Sequence, residues 1–193
     1  MFKLLSAIVN GAKGAITSTL QGASDIVSTT VNAVKKLTIN TFKETGDFIK
    51  EGIQIPAAIV KGSIEGISEI GVSFVKAIKG IIDGTVQGAM ESGAPQRDAV
   101  RGAVGQALYS AKDLGEDMGM TAVAAVKGAV DGVAKSGGDV AKATFTAVRT
   151  ALNVAGEIGE ETLKLVGETL ISSVDGAKDV IAELEGQKKR SAK

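Results

Sequence analysis

Hydrophobic positions recur every eleven residues along almost the whole chain, from about Leu5 to Leu184. One such series begins at Val104 and continues through Gly115, Val126, Gly137, Val148, Gly159, Leu170 and Ile181. Eleven residues over three turns correspond to about 3.67 residues per turn, close to the ~3.6 of a straight α-helix. The pattern therefore predicts an all-α protein, built from one long, extended amphipathic helix or from several such helices.

The repeat is clearer when two groups of eleven are joined into one repeat unit of 22 residues. These repeat units begin at Ile16, Thr38, Val60, Ile82, Val104, Val126, Val148 and Leu170. The fifth place of each unit carries a large apolar residue, and the tenth place is acidic in seven of the eight units. Matches at this many places indicate duplication of one unit and an extended helical architecture.

Two segments are candidates for breaks in this helix. Pro56 is expected to kink a helix or to begin one. The segment SGAPQRD, residues 92–98, is the best candidate for a turn, and it would divide the chain into halves at 1–93 and 96–187. The repeat nevertheless continues through Pro95 without a shift, which favours an uninterrupted helix. We therefore expect one repeat region at 1–187, followed by a basic tail at 188–193.

The apolar face of the predicted helix is wide. It covers on the order of 160° of the helix circumference, whereas the seam of a two-stranded coiled coil is much narrower. Such a face requires several neighbouring helices or a lipid surface to cover it. The residues predicted to form this lipid or helix-packing face are Ile16, Leu20, Val27, Phe42, Ile49, Val60, Ile64, Ile70, Ile82, Val86, Val104, Leu108, Val126, Val130, Val148, Leu152, Leu170, Val174 and Ile181.

Glycines form pairs four residues apart on one side of the predicted helix. These pairs allow two helix backbones to approach closely, and they are Gly62 and Gly66, Gly84 and Gly88, and Gly128 and Gly132. Each glycine also costs about 1 kcal/mol of helix propensity relative to alanine. We therefore expect an isolated helix to be marginal in water and to form mainly when its apolar face is covered.

The composition argues against an enzyme. The chain has no Cys and no His, so the usual general base and the commonest metal ligand are missing. We interpret two clusters of carboxylates as solvated acids rather than as a metal site. The first consists of Asp113, Glu116 and Asp117, and the second of Glu157, Glu160 and Glu161. No nucleotide-binding fingerprint is present. We expect no catalytic residues, no cofactor, no metal and no small-molecule substrate.

Charge and hydropathy limit the partners. The 22 basic and 22 acidic residues cancel, so bulk nucleic-acid binding is not expected. Even the most apolar stretch, residues 53–82, carries five charged side chains, so we expect no transmembrane span. The remaining candidate partners are a lipid surface and further copies of the chain.

Segments such as AVKGAVDGVAKSGG, residues 125–138, resemble the amphipathic lipid-binding proteins with eleven-residue repeats. These include synucleins, exchangeable apolipoproteins, perilipins, phasins and late-embryogenesis proteins. The resemblance is one of period and composition, and it covers most of the chain. It implies binding to a membrane, droplet or storage granule, in the cytoplasm and at the periphery of that surface.

Two functions follow from the pattern. The first is a non-enzymatic structural protein whose wide helical face binds a lipid surface and self-associates. The alternative is a lipid-free oligomer, a right-handed coiled coil that forms a stalk, tube or filament and scaffolds a larger assembly. A compact bundle of a few helices is a third arrangement, but the few aromatic residues and the unbroken repeat speak against it.

Overall fold

The computed structural model describes residues 2–45 and 53–191, and over these residues the chain is all-helical, without a strand. Nine helices follow one another in this described part: α1 (Phe2–Leu20), α2 (Ile26–Thr45), α3 (Gln54–Ile70), α4 (Phe74–Glu91), α5 (Gln96–Leu114), α6 (Met118–Lys135), α7 (Val140–Ile158), α8 (Glu160–Ser173) and α9 (Ala177–Ser191). The fold class is thus all-α, as the sequence predicts. One long helix is not observed, because no helix among the described residues is longer than the 20 residues of α2.

The repeat unit is a helix joined to a short turn. Helices α4, α5, α6 and α7 begin at Phe74, Gln96, Met118 and Val140, each one repeat unit after the last. A glycine with positive φ, between 67° and 90°, lies in the turn that precedes each of them, at Gly71, Gly93, Gly115 and Gly137. Only glycine adopts this left-handed conformation without steric strain. The turn therefore belongs to the repeat, which explains why the pattern continues across it without a shift.

Two of these helices, α6 and α7, begin with a capping aspartate at the same place in the repeat unit. Asp117 caps α6 by accepting a hydrogen bond from the Met120 backbone N–H at 2.8 Å, and Asp139 caps α7 through the Lys142 N–H at 3.0 Å. A side-chain acceptor at this position satisfies one of the free N–H groups of the first turn.

The two prolines lie where helices start. Pro56 is the third residue of α3, in the first turn, where the missing N–H is not needed. Pro95 is the N-cap residue of α5. The chain turns near Pro95, and similar short turns follow the neighbouring helices.

Each helix packs against the helix two places further along the chain. The contacts between α1 and α3, α2 and α4, and α4 and α6 are the most extensive, and α3–α5, α5–α7, α6–α8 and α7–α9 continue the series. Odd-numbered helices thus form one layer and even-numbered helices a second. Within a layer the helices are parallel, because Gly84 of α4 approaches Val31 of α2 while Gly88, one turn later, approaches Lys35.

The apolar face is covered by the chain itself. Of its predicted members, thirteen are buried: Ile16, Leu20, Phe42, Val60, Ile64, Ile82, Val86, Val104, Leu108, Val126, Val148, Leu170 and Val174. Five are half-buried, namely Val27, Ile70, Val130, Leu152 and Ile181. Ile49 lies outside the described residues. The thirteen buried side chains, together with Ile70, Val130, Leu152 and Ile181, belong to one continuous core that runs from α1 to α9.

This burial corrects one expectation. Most of the face does not need lipid or a sister chain to cover it, because glycine turns such as those at Gly71, Gly93, Gly115 and Gly137 fold it back on itself. The arrangement also differs from a bundle of a few helices, because nine helices in the described part of the chain pack on one another in two layers. Its core is built mainly from Ala, Val and Ile, whose small size suits closely spaced helices.

Candidate functional site

Close backbone contacts hold neighbouring helices of a layer together. A Cβ atom built on Gly128 of α6 would lie 2.5 Å from the Lys79 carbonyl oxygen of α4, and one on Gly132 would lie 2.8 Å from the Asp83 carbonyl oxygen. The predicted close-approach glycines Gly62 and Gly66 lie against α1 in the same way, and Gly84 and Gly88 lie against α2. Any larger residue at these positions would collide with the backbone of the adjacent helix.

Ion pairs cross the same helix contacts. They are Lys13–Glu69 at 2.6 Å between α1 and α3, Lys35–Glu91 at 2.7 Å between α2 and α4, and Lys79–Asp131 at 2.8 Å between α4 and α6. The hydrogen bond to Glu69, followed by the charge of Glu69, raises the pKa of Lys13. All three pairs are partly solvated, so each contributes little stability and mainly fixes the register of the two helices.

One ion pair is largely buried on its acidic side. The Asp83 side chain is 3% exposed, and it accepts hydrogen bonds from Gln87 Nε2 at 2.6 Å and from Lys135 Nζ at 2.5 Å. Both interactions stabilise the carboxylate, as a buried charge requires. Because both partners are present, we interpret Asp83 as a residue that stabilises the α4–α6 contact.

The carboxylate clusters noted in the sequence lie on the surface. Asp113, Glu116 and Asp117 are exposed at the α5–α6 turn, and Glu157, Glu160 and Glu161 are exposed around the α7–α8 turn. Over the residues that the structure describes, no group of three or more acidic side chains is placed to hold a metal ion.

A groove lies between α7, α8 and α9. It has a volume of about 1010 Å³, and its apolar lining consists of Leu152, Leu163, Ile171, Ile181 and Leu184. Charged side chains border it, among them Arg149, Lys164, Glu157, Glu168 and Glu185. Only two residues of α8 are buried, compared with twelve of α4. Helix α8 is therefore much less covered by the rest of the chain than α4 is.

A second groove, of about 810 Å³, lies between α5 and α7. Four basic side chains line it: Arg97, Arg101, Lys142 and Arg149. The sequence analysis missed this site, because the net charge of zero conceals it and its two sides lie far apart in the chain. The signal that could have found it is the distribution of arginine, since three of the four arginines of the chain line this groove.

Tyr109 and Glu157 link α5 and α7 beyond this groove. The Tyr109 hydroxyl donates a hydrogen bond to the Glu157 carboxylate. This bond, with smaller contributions from partial burial and from the charge of Glu157, raises the pKa of Tyr109. Since Tyr109 is 39% exposed, the pair lies at the surface rather than in a closed pocket.

Comparison with known proteins gives no relative: no family, no curated protein and no solved structure matches the chain. None of the helices in the described ranges combines the length and the hydropathy needed to cross a bilayer.

Proposed function

We propose that this protein is a non-enzymatic structural protein that self-associates through its α7–α9 groove. The observation that carries the proposal is the partly covered apolar surface of this groove. Ile171 of α8 lines the groove and is 45% exposed, and Leu152, Leu163, Ile181 and Leu184 beside it are half-buried. A clustered apolar surface with a charged border is typical of a protein–protein contact.

A second copy of the chain is the occupant that the charges favour. Residues 157–185 carry eight acidic side chains and two lysines, whereas residues 2–45 carry two acids and five lysines, of which Lys13 and Lys35 are paired within the chain. The acidic border of the groove, including Glu168 and Glu185, therefore complements the basic first two helices of another copy. Contact between different surfaces of identical copies is a heterologous arrangement, which extends into a ring or a filament.

The experiment is a measurement of molar mass by size-exclusion chromatography with light scattering, over a range of protein concentration and salt. The wild type is expected to form species larger than one chain, which dissociate as salt rises. Ile171→Ser removes an exposed apolar contact of the groove, and it should shift the association to clearly higher protein concentration. Leu114→Ser, which changes a side chain that is 46% exposed at the end of α5, is the matched control and should leave association unchanged.

A strictly monomeric wild type at all concentrations would refute the proposal. Equal loss of association in both variants would also refute it, because the effect would then not depend on the groove.

Lipid binding is the second candidate function. It is supported by the half-exposed apolar side chains of α8 and by the lack of any cysteine, since no disulfide prevents the helices from separating. On this proposal the amphipathic helices would exchange their contacts with each other for a lipid surface, at the cytoplasmic side of a membrane or lipid inclusion.

Co-sedimentation with phosphatidylcholine vesicles tests lipid binding directly. The wild type should sediment with the vesicles, and Ile171→Ser together with Leu165→Ser should reduce the bound fraction. Because the described fold covers most of the apolar face without lipid, circular dichroism should show strong helicity before vesicles are added. Absence of the wild type from the vesicle pellet would rule out this function.

A further inference from the structure

The α5–α7 groove concentrates positive charge that the protein leaves uncompensated. Arg97 and Arg101 lie one turn apart on α5, and Arg149 faces them from α7. All three side chains are exposed, and among the described residues none of them has an ion pair or a hydrogen bond to another side chain. This differs from the lysines of the other helix contacts, several of which are paired with an acid.

Comparison with the α4–α6 contact, one repeat unit earlier, shows how the residues of the α5–α7 groove differ. In the α4–α6 contact, Lys79 pairs with Asp131 at 2.8 Å. The residues one repeat unit later, on α5 and α7, are Arg101 and Asn153. The cation is thus kept while its acidic partner becomes a neutral amide, which leaves the arginine free for an external anion.

Two further positions add charge to the same groove. Arg97 lies one repeat unit after Val75, and Lys142 lies one repeat unit after Met120. Apolar residues of the α4–α6 pair are therefore replaced by cations in the α5–α7 pair. Among the described residues that line the groove, Asp139 is the only acid, and its carboxylate is already engaged with the Lys142 N–H at 3.0 Å and with Lys142 Nζ at 3.1 Å.

The groove is also open, whereas the α4–α6 contact is closed. The close-approach glycines Gly128 and Gly132 of α6 correspond to Thr150 and Val154 of α7, one repeat unit later. These larger side chains fill the space where the backbones would meet. A Cβ built on Gly105 of α5 would lie 3.6 Å from Thr150 Cγ2, an ordinary contact distance. The result is a groove of about 810 Å³ between two helices of one layer.

The two helices present their N-terminal ends together. Gln96, the first residue of α5, donates to the Asp139 carbonyl oxygen at 2.8 Å and accepts from the Asp139 N–H at 3.0 Å. This amide therefore ties the start of α5 to the start of α7. Helix N-termini carry partial positive charge, which adds to the field of the arginines at this end of the groove.

We propose that the α5–α7 groove binds a phosphate-bearing anion, held by Arg97, Arg101 and Arg149. The planar guanidinium group forms paired hydrogen bonds with phosphate oxygens, so three converging arginines suit a phosphoryl group. Phe145 is half-buried in the lining and supplies an apolar surface for the part of the ligand that carries the phosphate. The phosphate can belong to a free solute or to a phospholipid headgroup. The α5–α7 groove shares Arg149 and Asn153 with the α7–α9 groove, whereas Arg97, Arg101 and Phe145 line the α5–α7 groove alone.

The first arm of the test measures binding of pyrophosphate to the full chain by isothermal titration calorimetry at low salt. The second measures co-sedimentation with phosphatidylcholine vesicles that contain phosphatidic acid, compared with phosphatidylcholine alone. Binding in the first arm only identifies a free solute, whereas a preference for phosphatidic acid in the second arm only identifies a headgroup. Either result supports the proposal, and no binding in both arms overturns it.

Three variants show whether this groove carries the binding. Arg101→Gln combined with Arg149→Gln should weaken it about tenfold or more, since two charge-assisted contacts are lost. Asn153→Asp supplies an acid in the position of Asp131, so it should pair with Arg101 and weaken anion binding severalfold. Lys127→Gln, on α6 and one repeat unit before Arg149, removes an equally exposed cation outside the groove and should change the affinity less than about twofold.

Equal weakening by Lys127→Gln would overturn the proposal, because the affinity would then reflect general charge. The substituted side chains are exposed, and unchanged thermal unfolding by circular dichroism confirms that each variant folds. Ile171→Ser, in the self-association groove, should leave pyrophosphate binding intact, so failure of the anion site and failure of self-association remain distinguishable.

Discussion

The α4–α6 and α5–α7 pairs are two versions of the same contact, displaced by one repeat unit, and they differ in how closely the helices meet. In the first pair, Gly128 and Gly132 bring the backbones together, and two ion pairs link the helices. In the second pair, Thr150 and Val154 take the place of these glycines. The helices of the second pair therefore leave a groove between them.

The polar residues of the two pairs differ in a corresponding way. The buried Asp83 and its partners Gln87 and Lys135 have as their counterparts Gly105, Tyr109 and Glu157. In the second pair, a surface hydrogen bond from the tyrosine to the glutamate replaces the buried ion pair. The repeat thus sets the helices, turns and core positions, while a few residues beside the core decide whether a contact is closed or open.

The largest expected change in stability concerns the buried Asp83 of the closely packed α4–α6 pair. Lys135→Met leaves the Asp83 carboxylate buried with Gln87 as its remaining partner, and it should lower the free energy of unfolding by about 3 kcal/mol. Lys79→Met, which breaks the more exposed pair with Asp131, should lower it by less than about 1 kcal/mol. Urea unfolding followed by circular dichroism measures both. Similar losses in the two variants would contradict the distinction between a buried and a solvated pair.

The next largest change in stability concerns the separation of the helices, which is smaller in the α4–α6 pair than in the α5–α7 pair. Gly128→Ala should destabilise the protein by about 2 kcal/mol, because its methyl group would meet the Lys79 carbonyl oxygen and force α4 and α6 apart. Gly105→Ala meets no atom closer than 3.6 Å, and it should stabilise the protein by about 0.5–1 kcal/mol through helix propensity. Thermal unfolding midpoints should therefore move in opposite directions. A gain in stability for Gly128→Ala would show that the closed pair is looser than described.

Much of the fold could be predicted from the sequence, because the apolar repeat identifies the core. Members of the predicted face such as Ile64, Val104 and Leu170 are fully buried, and the predicted glycine pairs lie at the close helix contacts. The connectivity could not be predicted from periodicity alone. The repeat unit keeps the eleven-residue pattern whether it is a continuous helix or a helix followed by a turn.

The signal for the turns was nevertheless present in the sequence. The series that begins at Val104 alternates valine with glycine, so Gly115 and Gly137 mark the turns rather than the apolar face. An aspartate two residues later, at Asp117 and Asp139, is a typical N-cap.

The α5–α7 groove could not be found in this way. It depends on packing between helices two apart, which brings Arg101 and Arg149 to one groove.

A smaller change in stability is expected for the α5–α7 pair at high pH. The hydrogen bond to Glu157 raises the pKa of Tyr109, so the folded protein holds this proton more tightly than the unfolded chain does. The resulting stabilisation is complete below the ordinary tyrosine pKa of about 10, and it is lost as pH rises from there through the raised value. Wild type should therefore lose more stability than Tyr109→Phe between pH of about 9 and 11.5. Parallel losses in the two proteins, measured by urea unfolding, would exclude a contribution from this hydrogen bond.

The smallest expected change in stability concerns Asp139, at the start of α7 in the α5–α7 pair, and it is measured at low pH. The Lys142 backbone N–H, followed by the Lys142 side chain, donates to the Asp139 carboxylate and lowers its pKa. The stabilisation from this group is present above the ordinary aspartate pKa of about 3.9, and it is lost as pH falls from there through the lowered value. Asp139→Asn keeps an acceptor for the cap but cannot titrate, so its stability, measured by urea unfolding, should fall less than that of wild type in acid.

Lys142→Met separates the two contributions to this acid dependence. It removes the ammonium group but keeps the backbone N–H, which is the larger cause of the lowered pKa, so most of the acid dependence should persist. Loss of the whole effect in Lys142→Met would instead assign it to the ion pair. In that case Asp139 would belong to the charge balance of the α5–α7 groove, and the positive field available to an anion there would rise as Asp139 is protonated.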